Sequence, residues 1–421
     1  MSASGVIPIS KCRICGNPRL ASILDLGRQA PTGIFVKDPR QLAAPGPLEL
    51  VKCEEDGGGR SCGLVQLRHS YDLEKLYGEN YGYRSGLNRS MVEHLHSKVA
   101  AIRKKVKLGA GDLVVDVGSN DGTLLRAYPE TLTRVGIDPT AAKFKKYYPA
   151  NVLVIPKFFS AKAIREAAGT TRAKVITSIA MFYDLESPMD FMREIRDVLH
   201  DEGIWVFEQS YMPAMLETNS YDTVCHEHLE YYGLRQIQWM AGRVGLKIVD
   251  VEWNEVNGGS FSVTAAKDDS SLKEKSSVIE KALARELALG LSTLKPYEEF
   301  RGRVQRHREH LLKRLKDIRG QGGRLLGYGA STKGNVLLQF CGLTRKDIPY
   351  IAEINEDKFG CVTPGSEIPI ISEAEARAMS PDYFLVLPWH FRKGIIERER
   401  DFLKRGGKML FPLPQIEEVT S

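Results

Sequence analysis

Residues 113–122 read Leu113-Val114-Val115-Asp116-Val117-Gly118-Ser119-Asn120-Asp121-Gly122, an apolar run that ends in a glycine-rich turn. The run predicts a buried strand, and the glycines predict a sharp turn into a helix whose N-terminus lies beside it. A dinucleotide fingerprint requires glycine where Asn120 stands, because a pyrophosphate needs the backbone closest at that position and any side chain obstructs it. Twenty residues beyond Gly118, Asp138 falls in GIDPT at the end of the next predicted strand. A carboxylate there can accept hydrogen bonds from both hydroxyls of a ribose.

Working outward, VGID, VLVI, KVITSIA and GIWVFEQ repeat the strand pattern at helix-sized intervals. That alternation predicts a parallel sheet covered by helices. Upstream, GLNRSMVEHLHSKVAAIRKKVK (residues 86–107) has helical spacing and reads as a connecting helix. Downstream, residues 270–318 are charged and helical, and a second α/β unit follows through GGRLLGYGAS, DIPYIAEIN and DYFLVLPW. The reading is three domains: residues 1–80, 81–268, and 269–421 with their helical connection.

The 421 residues are 43% hydrophobic and 27% charged, an ordinary globular balance that excludes a disordered or fibrous chain. The net charge of +6 suits an acidic small substrate and is too slight for a nucleic-acid footprint. No apolar run approaches the ~20 residues of a spanning helix, and the start MSASGVIPISKCRICG has no secretory pattern. A cytoplasmic protein is expected.

Cys12, Cys15, Cys53 and Cys62 account for four of the seven cysteines. In a reducing compartment such clustering points to metal rather than disulfides, and four thiolates suit a tetrahedral structural Zn²⁺. The second pair is spread by EEDGGGRS, a glycine-rich insertion that can loop out. Residues 1–80 are loop-rich and have little core of their own, so they need such a staple or a neighbour.

Gly327-Tyr-Gly329-Ala-Ser331-Thr-Lys333-Gly334 follows another predicted strand. It is not a Walker A loop, yet glycines before a helix with Ser331 and Lys333 describe a phosphate cradle. Glu353 ends the next strand, where a ribose acceptor is expected. Taken alone, this could be an NAD site or an empty Rossmann-like shell. His226-Glu227-His228 is the densest titratable cluster. On a strand the two histidines share a face and could ligate a metal; ordinary buried or surface histidines are the plainer alternative. The triplet follows WVFEQS by about fifteen residues, so it is expected over the carboxyl edge of the first sheet, where such sheets bind ligands.

The spacing of Asp116, Gly118, Asn120 and Gly122 resembles motif I of class I methyltransferases, where S-adenosylmethionine lies over the turn and Asp138 takes its ribose. Together with CRICG, CGLVQL, YGENYGYRSG, YDTVCHEHLEYY, NGGSFSV, GYGASTKGN and AEINEDKFG, it extends over nearly the whole chain. The chain resembles the zinc-containing sugar C-methyltransferases that act on nucleotide-linked 4-keto-6-deoxy sugars. The resemblance implies an N-terminal zinc domain, a central class I methyltransferase domain and a C-terminal Rossmann-like α/β domain that holds the nucleotide diphosphate. It implies His228 as the base that removes the C-3 proton, Glu227 beside it, and Tyr81 and Tyr83 near the sugar. Cys225, His226, Ser331, Lys333, Asn335 and Glu353 are the implied substrate contacts. Two departures stand out: Cys225 replaces a tyrosine of some members, and MFYDLESP replaces a segment containing Ala-His. An O- or N-methyltransferase acting on a nucleotide sugar or other small metabolite is the alternative.

Overall fold

The computed structural model describes residues 6–72, 76 and 83–421. The N-terminal part carries β1 (Ile7–Pro8), β2 (Leu20–Gln29), β3 (Gly46–Cys53), β4 (Val65–Leu67) and β5 (His69–Ser70). Helix Arg89–Lys105, capped by the Asn88 side chain, leads into the central part. There follow β6 (Leu113–Val117), β7 (Thr133–Ile137), β8 (Val152–Ile155), β9 (Ala173–Ile179), β10 (Leu199–Ser210), β11 (Glu230–Tyr231), β12 (Leu246–Asn254) and β13 (Ser260–Lys267). The C-terminal part has β14 (Leu325–Tyr328), β15 (Ile351–Glu353), β16 (Ile370–Ser372), β17 (Tyr383–Val386), β18 (Lys408–Phe411) and β19 (Glu417–Val419).

The central sheet runs β12-β13-β10-β9-β6-β7-β8. Strands β8, β7, β6, β9 and β10 are parallel, while β13 enters antiparallel between β10 and β12. The C-terminal sheet, β16-β15-β14-β17-β18-β19, is parallel except for β19. Each has the parallel α/β pattern expected from the sequence, with the first strand (β6 or β14) inside the sheet. The order in which strands are added reverses beside that strand, which is where such sheets open a crevice for ligands.

One sheet joins two parts of the chain. Its order is β11-β4-β3-β2, so the two residues that follow His228-Leu229 add a strand to the N-terminal sheet. The N-terminal part also leans on helix Lys295–Gly320, whose buried stripe Tyr297, Phe300, Val304, His307, Leu311, Leu315 and Ile318 has three-and-four spacing. Leu24, Leu48 and Leu50 share one buried cluster with that stripe and with Leu326 and Leu338 of the C-terminal unit. The small N-terminal core is thereby extended by a neighbour.

One expectation fails locally. Beyond Gly122 there is no regular helix, only the three-residue 3-10 turn Leu125–Ala127. Pro129 follows so closely that Tyr128 is already extended, which stops the segment before a helix can form.

Candidate active site and metal centre

The four cysteines converge. Their sulfurs lie within 4.8 Å of one another, with Cys12–Cys62 and Cys15–Cys53 each at 3.5 Å. A zinc tetrahedron with Zn–S bonds of about 2.3 Å has edges of about 3.8 Å, so the donor set fits Zn²⁺ and leaves no position for a substrate. The EEDGGGRS insertion loops out, closed by Ser61 Oγ, which accepts from Asp56 N at 2.7 Å. Among the described residues no other His, Cys and carboxylate group has metal-site geometry.

A cavity of about 1240 Å³ lies between the carboxyl edges of the two parallel sheets. From the central sheet it is lined by Asp116, Gly118, Asn120 and Asp138, and from the C-terminal sheet by Gly329, Ser331, Lys333 and Glu353. Between them stand Cys225, Glu227 and His228. Two hydrogen bonds fasten the sides together: Lys333 Nζ donates to Asn257 O at 2.6 Å, and the buried Trp389 Nε1 donates to Asp222 Oδ2 at 2.7 Å.

At the first turn, Gly118 has φ +72°, and a Cβ there would come within 2.9 Å of Met181 Cγ. Asp138 braces the turn. Its Oδ2 accepts from Asn120 N at 2.9 Å, and its Oδ1 accepts from Thr140 N and Oγ1, both at 2.6 Å. Three of a carboxylate's four acceptor positions are therefore used, which leaves room for one ribose hydroxyl rather than two. Asp116 is buried behind the turn; burial pushes it up to about 7, against the Thr177 hydrogen bond and with help from the charge of Asp138. Asn120 Oδ1 accepts from Ser85 N at 3.0 Å, so its side chain ties residues 83–85 across the turn.

His228 Nδ1 lies 2.8 Å from Thr223 O. A carbonyl can only accept, so Nδ1 carries the proton and Nε2 is left with its lone pair. Burial, reinforced by Lys333, pushes the imidazole down to about 3 and keeps it neutral. The Tyr183 ring packs on it with centroids 4.2 Å apart. Glu227 is buried, and its Oε1 lies 2.7 Å from where a Cβ on Gly33 would be. Burial pushes its carboxyl up. Cys225 is fully buried, and burial likewise holds its thiol protonated.

The second turn ends differently. Gly329 has φ +81°, and Ser331 Oγ caps helix Thr332–Phe340 by accepting from Gly334 N at 3.0 Å. Glu353 Oε2 accepts from Ala330 N at 2.8 Å, while its Oε1 accepts from Ile354 N and Asn355 N. Lys358, Lys393 and Arg398 also line this end of the cavity.

Several expected site residues lie elsewhere. His226 is not on the cavity wall: residues 226–227 form a turn rather than a strand, and its ring packs edge-on against Tyr71 with centroids 4.6 Å apart. Asn335 is fully buried and donates to Thr32 O at 2.8 Å, binding the N-terminal part to helix Thr332–Phe340 instead of facing ligand. Gly122 is absent from the wall as well; its Cβ position is filled by the Tyr148 ring at 2.7 Å, so glycine serves packing there. Tyr83 lines the cavity and is 46% exposed, whereas Tyr81 lies outside the described residues.

Other wall residues escaped the sequence reading. Glu208 binds Lys98 Nζ at 2.8 Å and accepts from Asn254 Nδ2 at 2.9 Å. Gln209, beside it, has both side-chain polar atoms buried without a partner. His390 faces the cavity from the loop after β17. A charged residue inside the buried run WVFEQS and a histidine just past YFLVLPW were the available signals, because both mark carboxyl ends of strands.

The chain is 31% identical over 416 residues to C-methyltransferase NovU of Streptomyces niveus, covering 97% of each. It belongs to the C-methyltransferase family. Three family models divide this C-methyltransferase: a zinc binding domain at residues 12–77, a methyltransferase domain at 89–251 and a C-methyltransferase C-terminal domain at 255–414. Among solved structures, CcbJ methyltransferase of Streptomyces caelestis is 14% identical and covers 44% of this chain and 99% of its own, with a TM-score of 0.33. Mitomycin 7-O-methyltransferase MmcR is 15% identical, covering 42% and 54%, also at 0.33. The C-methyltransferase thus uses S-adenosylmethionine and carries a structural zinc. No helix among the described residues is long and apolar enough to cross a membrane.

Proposed function

We propose that this C-methyltransferase methylates C-3 of a nucleotide-linked 4-keto-6-deoxy sugar, with His228 Nε2 as the base. The observation that carries this reading is the His228 Nδ1 contact with Thr223 O, which leaves an unprotonated Nε2 on a wall shared by both glycine turns. S-adenosylmethionine supplies an electrophilic methyl group on a sulfonium. A carbon can attack it only after losing a proton next to a carbonyl, and a neutral imidazole, though made a weaker base by burial and Lys333, has the free lone pair to take that proton. Asp116, Gly118, Asn120 and Asp138 would hold the cofactor; Gly122 supports the turn from behind. Ser331, Lys333 and Glu353 would hold the diphosphate end of the substrate, with Cys225 near the sugar and Glu227 beside the base. Tyr81 and Tyr83 are our candidates for donors to the enolate oxygen, because preorganised donors there usually provide the largest catalytic term.

We take residues 1–80, 81–268 and 269–421 as the zinc, cofactor and nucleotide-sugar units, working in branched deoxysugar biosynthesis. A cytoplasmic setting would keep the zinc thiols reduced. The test is incubation with methyl-labelled S-adenosylmethionine and a panel of nucleotide-linked 4-keto-6-deoxy sugars and their 4-hydroxy counterparts. Label on carbon of a keto sugar supports the proposal. Label only on oxygen or nitrogen, or transfer to the 4-hydroxy sugars alone, contradicts it.

A further inference from the structure

Arg13 sits inside the zinc knuckle, between Cys12 and Cys15, and its side chain is only 3% exposed. It does not face the zinc donors or the cavity. Its Nη1 donates to Leu67 O at 2.6 Å, and its Nη2 donates to His69 O at 3.2 Å and Ser70 Oγ at 3.0 Å. Its Nε lies 3.4 Å from Glu186 Oε2 and 3.8 Å from Glu230 Oε1. Ser70 Oγ donates to the same Glu186 oxygen at 2.8 Å.

Those two carboxylates belong to the segments that build the wall around the base. Glu186 ends MFYDLE, whose Met181, Tyr183, Asp184 and Leu185 line the cavity, and whose Tyr183 packs on the His228 ring. Glu230 begins β11, two residues after His228, and its side chain is fully buried. The segments are also bonded to each other and to the N-terminal sheet: Leu229 N donates to Tyr183 O at 2.7 Å, and Leu67 N donates to Leu229 O at 2.9 Å. A guanidinium presents several donors in a fixed fork, so one side chain can hold all these groups in register. Removing it would leave a buried carboxylate and backbone carbonyls without their partner, a costly arrangement.

We propose that Arg13 is a positioning residue that couples the zinc knuckle to the cavity wall. Zinc fixes the knuckle, the knuckle aims the guanidinium, and the guanidinium holds the segments carrying Tyr183 and His228. The zinc then supports catalysis at a distance without touching substrate.

The test is hydrogen–deuterium exchange of the full-length, zinc-loaded protein. Arg13→Met with one zinc per chain should speed exchange in residues 181–187 and 226–232 about tenfold or more, leaving β6 and β7 unchanged. Glu186→Ala leaves the knuckle intact and should speed residues 181–187 alone. Turnover of a keto sugar accepted by the parent should show kcat of Arg13→Met falling about tenfold while KM for S-adenosylmethionine stays within about twofold. The rate arm rests on the proposed role of His228; the exchange arm does not, so the two can fail separately. Zinc-replete Arg13→Met that exchanges like the parent in both segments overturns the proposal. If Arg13→Met loses its zinc, parent-like exchange in Glu186→Ala overturns it instead.

Discussion

The two glycine turns that face each other across the cavity share one device and differ in what they can hold. In both, a strand ends in a positive-φ glycine, and the acidic residue that ends the next strand accepts a backbone N–H from the turn. Asp138 takes Asn120 N at 2.9 Å; Glu353 takes Ala330 N at 2.8 Å. Beyond that point they diverge. The first turn runs into a three-residue 3-10 turn and has Asp116, Asp138 and the Lys98-paired Glu208 on the adjoining wall, with Arg84 and Arg89 on the segment across from them. The second runs into a capped nine-residue helix and has Lys333, Lys358, Lys393 and Arg398 near it, with Glu353, Glu373 and Glu397 on the same stretch of wall. A helix N-terminus with lysines favours an anion, whereas carboxylates without a helix favour a cation. Under the proposed function, the first turn would take the sulfonium cofactor and the second the diphosphate of the substrate.

The largest effect expected is on the group between the turns. His228→Ala should lower methyl transfer about 10²–10⁴-fold, the range of a lost general base, with cofactor affinity retained in calorimetry. A mutant within about tenfold of the parent breaks the assignment, since that falls outside the range for a general base.

A pair of substitutions then tests the division of charge. Lys333→Met should raise KM for the nucleotide sugar about 10–150-fold, the value of a lost charge-assisted contact, and leave the dissociation constant of S-adenosylmethionine unchanged. Asp138→Asn should do the reverse. If both mutants weaken the same ligand, the two turns do not divide the ligands as described.

A smaller effect should appear with pH. Asp116 sits at about 7 because it is buried, so it becomes charged as pH rises from 6 to 8. A cationic cofactor should then bind about threefold to tenfold more tightly at pH 8 than at pH 6, and Asp116→Asn should flatten that dependence. The sign for folding is opposite. A carboxyl raised from about 3.9 to 7 binds its proton more tightly in the folded state, so its contribution to stability is lost as pH rises through that interval. Affinity that falls between pH 6 and 8 would contradict the charge argument.

The sheets, the zinc cysteines and both turns were legible because each rests on local pattern: apolar runs, glycines at fixed offsets, paired cysteines. What escaped depends on tertiary direction. HEH is a local turn, so period-two reasoning put His226 on the wrong face. Asn335 has the polarity of a ligand contact, yet its helix presents it to Thr32 O. Gly122 belongs to the expected motif, but the ring that fills the space behind it comes from Tyr148, twenty-six residues later. The addition of β11 to the zinc-domain sheet joins residues far apart in the chain, and no window of sequence encodes that pairing.

The central claim is that His228 removes a carbon-bound proton before methyl transfer. It can be tested directly by incubating the enzyme with S-adenosylhomocysteine and an accepted keto sugar in deuterated water. The account predicts deuterium at C-3 with the parent enzyme and none above background with folded, ligand-binding His228→Ala. Incorporation by that mutant at the parental rate would contradict it.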